Sequence, residues 1–345
     1  MNILVFLYII FIVVSILAPK SKGLAFVIFV FAALMMGLNL QNPDSDGYMN
    51  EYEWAKWDFD ITLKLEFGHY YLMKLCNIFH LSFIEYKVIV ASITYYLIYF
   101  STIRFTKYSS LIAGLYLLCY LPLDVTQYRN IFAFSIILFG VFYFLLSEKK
   151  YGILFYTIIV LIASTIHISC LFYLVFILAR YRFSVPLFIV LMVISILVST
   201  YLLINFNSYI DVAMKNMEGK AEEETSIIAR IFYISLQVID CLYLWLIGKK
   251  YRKINVDSHI DDFFFRTNLL LLLLSPMYAF DMNFFRLVRN WLLPTMMYIV
   301  NRVSIKKSFV AWAPLLFYIL FLLWFMNHSA TDMIYPPMFY KNVLS

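Results

Sequence analysis

Three side chains are best placed to do chemistry: Arg129 opens an apolar run, His167 stands alone between two others, and Glu66 sits where an acidic stretch returns to apolar sequence. Guanidinium groups grip phosphate oxygens bidentately. Neutral imidazole near pH 7 suits a general base for a hydroxyl, and a carboxylate is the other candidate for that role. Arg286 and Arg289, three apart in DMNFFRLVRN, lie on one face at helical spacing and add two guanidiniums. Three arginines at one membrane depth suit a diphosphate. A plainer reading stands beside each assignment: the arginines snorkel or pair with Asp124 and Asp281, His167 is a hydrogen-bonded interior group, and Glu66 is a solvated carboxylate at a helix start. The sequence leaves open whether His167 or Glu66 is the base.

The elements that must position these residues are membrane helices. Of 345 residues 63% are hydrophobic, 20% aromatic and only 14% charged, with mean hydropathy +0.82; a soluble domain is roughly 45–50% apolar and 25% charged. Apolar windows place spans near 2–18, 24–40, 82–103, 109–122, 131–147, 151–166, 168–179, 184–205, 227–248, 263–280, 290–304 and 308–327. This is an all-α polytopic chain of about twelve spans. Basic residues fall at every second connector: Lys20/Lys22, Arg104/Lys107, Lys149/Lys150, Arg180/Arg182, Lys249 to Lys253, and Arg302/Lys306/Lys307. The other connectors hold most of the acids, among them Asp44, Asp46, Glu51, Glu53, Glu66, Asp124, Asp211 and Asp281. The excess of Lys and Arg in cytoplasmic loops then puts both termini, Arg129 and His167 on the outer side. The net charge of +6 reads as this topology signal, not as an anionic partner, and no nucleic acid is expected.

Segment 168–179 rises only about 18 Å as a helix, short of a hydrocarbon core of roughly 30 Å. With 151–166 it is expected to form a hairpin with His167 at the floor of a recess. The connector 41–81 is the large extracytoplasmic loop, and its second half puts Tyr70, Leu72, Leu75, Ile78 and Phe79 near helical spacing, as in a helix along the membrane surface. Asn42, Asp44, Asp46, Gly47 and Glu53 fall at calcium-loop spacing, against the simpler reading of Asp46 as a helix N-cap. Asp240, midway along a span, is a candidate for ion coupling and hence for a transporter. The four cysteines have neither disulfide nor zinc spacing.

QYRNIFAFSIILFGVFYFLLSEKKYGILFYTIIVLIASTIHISCLFYLV resembles the EpsG family of Wzy-like exopolysaccharide polymerases. Arg129 to Ala133 is similar to the family's Arg-Gln/Asn-x-x-Ala run, and Ala163 to Ser169 to its Ala-Ser-x-x-His-x-Ser segment. Asp46–Gly47–Tyr48 with Tyr52 resembles Asp-x-x-Tyr, and Glu66–Phe67–Gly68–His69–Tyr70 resembles Glu-Pro-x-Tyr with Phe67 in place of proline. Arg286 to Trp291 is similar to the Arg-x-x-x-Tyr/Phe region. The resemblance implies a single bacterial inner-membrane polymerase domain over 1–345 with GT-C-like architecture. Such an enzyme joins undecaprenyl-diphosphate-linked repeats on the outer face, without cofactor or metal, beside a flippase and a chain-length regulator. Arg129, Arg286 and Arg289 would hold the diphosphate, His167 or Glu66 the acceptor proton, and Asp46, Tyr48 and Tyr70 the sugars. The rivals are a lipid-linked-oligosaccharide flippase, a glycan acyltransferase and a non-catalytic export partner.

Overall fold

Without water in a bilayer core, backbone N–H and C=O groups must pair within the chain, and the apolar runs accordingly become helices. The computed structural model describes residues 2–57, 66–147, 150–181, 183–215, 227–252, 258–279, 282–304 and 335–344, with isolated positions between 312 and 323. The span expected at 308–327 therefore lies largely outside the described residues. Among the described residues four helices are long and apolar enough to cross a membrane, Phe83–Phe105, Tyr128–Leu145, Val185–Leu202 and Arg230–Lys249, and shorter apolar helices accompany them. This is a multi-pass membrane protein.

The chain forms two compact units, one of Met1–Tyr173 with Leu293–Ser345 and the other of Leu174–Leu292. The first holds α1 (Ile3–Leu17), α2 (Lys22–Gly37), α3 (Ser45–Trp54), α4 (Phe67–Ile78), α5 (Phe83–Phe105), α6 (Ser109–Cys119), α7 (Leu121–Thr126), α8 (Tyr128–Gly140) and α9 (Gly152–Ile166). Polar caps set the helix starts, among them Asn2 for α1, Ser21 for α2 and a Ser82–Glu85 capping box for α5.

Charge segregates along this unit. At one end the α1–α2 turn meets the α5–α6 turn, with Leu111 N–H on Pro19 O at 3.2 Å and Lys20 over the Tyr108 ring. Arg104 lies over Tyr143 at that end too. At the other end lie α3, the start of α4, the start of α8 and the close of α9, with Glu51, Glu66 and Asp124. The C-terminal residues 335–344 dock at this acidic end. Leu40 N–H donates to Lys341 O at 2.6 Å and Val343 N–H to Leu38 O at 3.0 Å. Asn2 reaches Phe339 O at 2.7 Å, and the buried Lys87 donates to Asn39 O.

Two expectations change in detail. The calcium-like spacing at 42–53 is a capped helix: Asn42 Oδ1 accepts from Asp44 N–H, Ser45 Oγ accepts from Asn42 N–H, and α3 begins at Ser45 with Asp44, not Asp46, at the N-cap. Once residues 45–54 are helical, the carboxylates at 44, 46 and 53 no longer share a loop. A helix forms there, α4, and its buried face is His69, Tyr70, Met73 and Cys76. Leu75, Ile78 and Phe79, grouped with Tyr70 by spacing, are exposed together with Phe67 and Tyr71.

The second unit contains α10 (Phe176–Arg180), α11 (Val185–Lys215), α12 (Ile227–Arg252), α13 (Ser258–Leu271) and the start of α14 (Phe285–Val303). The run expected at 263–280 is not one α-helix. After α13 it tightens to a 3-10 stretch, Leu272–Ala279, around Pro276, which has no N–H for the α-helical bond. Carbonyls of this stretch accept from α11: the Ser195 hydroxyl donates to Leu273 O and the Ser199 hydroxyl to Pro276 O.

Glycine permits a close backbone contact between two helices of the first unit. A Cβ on Gly37 of α2 would stand 2.8 Å from Val88 Cα of α5, whereas one on Gly23 would meet nothing within 4 Å. Gly37→Ala is expected to force α2 and α5 apart, costing about 1–3 kcal/mol, and Gly23→Ala to be neutral. Thermal unfolding of the two variants in detergent measures the difference.

Candidate active site

His167 ends α9 with extended backbone, φ −146° and ψ 109°. The next residues form a 3-10 stretch, Ile168–Val175. Tyr156 Oη donates to Tyr173 O at 2.8 Å, an approach that a continuous helix through both residues forbids, since they would lie about 25 Å apart along its axis. The chain therefore doubles back at His167, as the short apolar segment suggested. The break leaves the Ile168 N–H without a helical acceptor.

Glu66 supplies that acceptor. One oxygen, Oε1, takes the Ile168 N–H at 3.0 Å and His167 Nδ1 at 2.8 Å. The other, Oε2, pairs with Arg129 Nη1 at 3.1 Å. Residues from the start of α4, the start of α8 and the end of α9 thus meet at one carboxylate. All three side chains keep an opening to the surface, with exposures of 22% for Glu66, 23% for Arg129 and 20% for His167. Gly68 lets α4 seat against α9: a Cβ there would fall 2.7 Å from Thr165 Cβ.

Burial alone would raise the Glu66 pKa. The hydrogen bond with His167, the Arg129 charge, the Ile168 N–H and the His167 charge together outweigh it and bring the carboxyl from 4.5 down to about 2. An ionised carboxylate only accepts, so His167 Nδ1 carries a proton toward Glu66, and in the neutral ring Nε2 is the nitrogen that presents its lone pair. Glu66 is correspondingly a poor base.

Arg129 is further enclosed by α3. Tyr48 lies under its guanidinium at 5.4 Å, and Glu51, one turn later, approaches Nη1 at 3.6 Å. Behind them Tyr48 packs on Tyr128 at 4.5 Å. His69, buried and held neutral by burial at a pKa of about 3, pairs with Tyr86 Oη at 2.8 Å. Asp124, the partner suggested for Arg129 by proximity in sequence, is buried and instead accepts from Tyr116 Oη at 2.6 Å.

Residues 22–339 match the EpsG family. The chain belongs to the EpsG family. No curated protein and no solved structure gives a match. EpsG membership associates the chain with a polysaccharide-polymerase-like, glycosyltransferase-type role. The three stretches that resemble EpsG motifs around Glu66, Arg129 and His167 converge on one carboxylate.

The structure thus brings together Glu66, Arg129, His167 and Tyr48. Asp46 is exposed on the first turn of α3, and Tyr70 is buried on the inner face of α4. Arg286 and Arg289 lie in the second unit at the start of α14, where Arg289 is buried beside Asn290 and Trp291 packs on Phe176 and Phe264. Asp281, their suggested partner, lies outside the described residues. Sequence reasoning missed Glu51, His69 and Tyr86. The signal for Glu51 was available: Tyr48 and Glu51 are three apart, the spacing of one helix face.

Because the folded pKa of Glu66 is depressed, its contribution is present above the unfolded value and lost as pH falls from roughly 5 toward 2, on the order of 2–3 kcal/mol. Glu66→Gln is expected to be less stable at pH 7 and to lack this acid limb. Unfolding midpoints across that pH range test it, and an unchanged acid limb would contradict the assigned pairing.

Proposed function

We propose that this chain polymerises lipid-diphosphate-linked oligosaccharide repeats, of the undecaprenyl-diphosphate type, into an exopolysaccharide, capsule or O-antigen chain at the outer face of the bacterial cytoplasmic membrane. The observation that carries the reading is the Glu66–His167–Arg129 cluster, in which an oriented imidazole and a guanidinium stand side by side at the acid-rich end of a membrane protein. In the proposed architecture about twelve spans in a GT-C-like arrangement place both termini on that outer side. A flippase and a chain-length regulator are the proposed partners.

In the proposed reaction His167 Nε2 takes the proton of an acceptor hydroxyl. That oxygen attacks the anomeric carbon of the donor sugar, the bond from this carbon to the diphosphate oxygen breaks, and the lipid diphosphate leaves. Arg129 meets the negative charge that develops on the leaving oxygen. Glu66 is a positioning residue that fixes the tautomer and ring direction of His167, in the way a carboxylate orients a hydrolase histidine. Arg286 and Arg289 enter as further diphosphate ligands on the strength of their type and spacing, and Tyr48, Tyr70 and Asp46 as sugar contacts.

Purified protein incubated with lipid-diphosphate-linked repeats is expected to give a ladder of products without added nucleotide sugar. His167→Ala should lower the rate by about 10²–10⁴, the usual worth of a general base. Arg129→Lys, which keeps the charge but loses the fork, should shorten the products at normal protein abundance. An intact substrate that yields no ladder with folded protein would transfer the reading to a lipid-linked-oligosaccharide transporter, with Asp240 of α12 as its intramembrane charge.

A further inference from the structure

Helices α2 and α5 touch closely at Gly37 and Val88 and, from the next turn on, border a cavity of about 230 Å³. Phe26, Val30 and Ala33 line it from α2, and Ser92, Tyr95 and Tyr99 from α5. Phe26 and Val30 on its rim are 48% and 42% exposed, so the cavity opens on the lipid-facing flank of the first unit. What it offers is mostly carbon. The Ser92 hydroxyl donates to Val88 O of its own helix at 2.7 Å, and the Tyr95 hydroxyl turns to Met36 Sδ at 3.8 Å. The Phe26 ring meets Tyr99 edge to face at 5.4 Å, bridging the two helices. An apolar recess in such a wall takes a hydrocarbon chain, because an empty one forfeits dispersion contacts on one side.

Charge marks one end of this groove. Lys22, Phe26, Val30 and Ala33 follow one another at helical spacing, so the stripe of α2 that lines the cavity ends in an ammonium group. Lys22 is exposed at the start of α2. Lys20, in the turn before it, lies over the Tyr108 ring just beyond the end of α5. Arg104 at the same end is turned to Tyr143. Two lysines thus stand where the groove meets the basic end of the unit. Basic residues beside a groove between membrane helices suit an anionic lipid headgroup, and a long lysine side chain carries its charge from the hydrocarbon boundary to that level.

We propose that the α2–α5 groove binds one anionic phospholipid, with an acyl chain in the cavity and its phosphate on Lys22 and Lys20. In the topology proposed above this is a lipid of the cytoplasmic leaflet. Its headgroup lies at the end of the unit opposite Glu66, Arg129 and His167, which separates it from a lipid-diphosphate substrate and makes the site independent of the polymerase reading. The bound lipid braces α2 against α5, whose other end carries Tyr86 and Lys87 to their partners His69 and Asn39.

The test counts lipids on full-length protein in detergent by native mass spectrometry, with phosphatidylglycerol and phosphatidylcholine of identical chains as probes. Wild type is expected to bind its first phosphatidylglycerol roughly tenfold or more tightly than phosphatidylcholine, each lysine near the headgroup contributing about fivefold. Lys22→Gln should lower that preference about fivefold, and adding Lys20→Gln should abolish it. Lys56→Gln, beyond α3 and paired with Glu53, should match wild type. Ala33→Leu, which fills the cavity, should remove the first-lipid site for both probes. Ser92→Leu fills it from the facing wall and covers the case in which Ala33→Leu folds poorly. Equal binding of the two lipids by wild type, or an unchanged preference in Lys22→Gln, overturns the proposal. So does a first-lipid affinity that survives both leucine variants, which would mean ordinary annular lipid. Displacement of phosphatidylglycerol by an equal concentration of undecaprenyl phosphate would also overturn it and hand the groove to a carrier lipid.

Discussion

A helix that stops within an apolar layer leaves backbone groups that only the protein can satisfy, and the break after Ile166 is where the first unit answers this demand. Glu66 takes the released Ile168 N–H with the oxygen that also accepts from His167. The interaction that repairs the backbone thus also orients the imidazole. Removing the carboxylate leaves the Ile168 N–H without this acceptor, a ring without a fixed tautomer and a guanidinium with one anion fewer. Fold and chemistry share this group, which is why α4 must lie close enough to α9 for Gly68 to touch Thr165.

Around that point the packing is aromatic. Tyr48, Tyr128, Tyr86 and Tyr52 pack ring against ring in a continuous run, tilted or edge to face, their centroids 4.5 to 6.4 Å apart. Tyrosine offers large apolar area at little rotamer cost and a hydroxyl that finds partners such as the His69 ring and the Leu81 carbonyl. Polar groups are thereby carried into the interior near Arg129 without formal charge. The alternate connectors complete the arrangement, because acids gather at the end of the first unit that holds the site and most bases at the other.

The chemistry of the site was legible where residue type is rare in its surroundings. A histidine between apolar runs and an arginine at the start of one stand out against lipid-facing sequence, and the short segment after His167 announced a chain reversal. What stayed hidden depended on distance along the chain. His167 and Glu66 are separated by 101 residues, so nothing local told that they were one unit and not alternatives. Asp124 was offered to Arg129 because it is near in sequence, yet the turn through α7 directs it to Tyr116. The carboxylates at 42–53 suggested a metal loop because their spacing was read without the Asn42 and Ser45 contacts that start a helix among them. Hydropathy likewise located the run at 263–280 but not its tightening, which Pro276 imposes and two serines of α11 make tolerable.

The first unit is discontinuous, with residues 293–345 returning to a body begun by residues 1–173. Its bridge between Asn39 and Asn342, and the contacts of Asn2 and Asn39 with 335–344, join positions that lie on either side of the second unit in the chain. A ribosome must therefore deliver the entire second unit before the acidic end of the first can close. Until then the Asn39 and Leu40 backbone waits without its final neighbours, and insertion must hold α1 and α2 in place while residues 174–292 are made. Closure of that end is in this sense timed by residues 335–344, which follow the second unit along the chain.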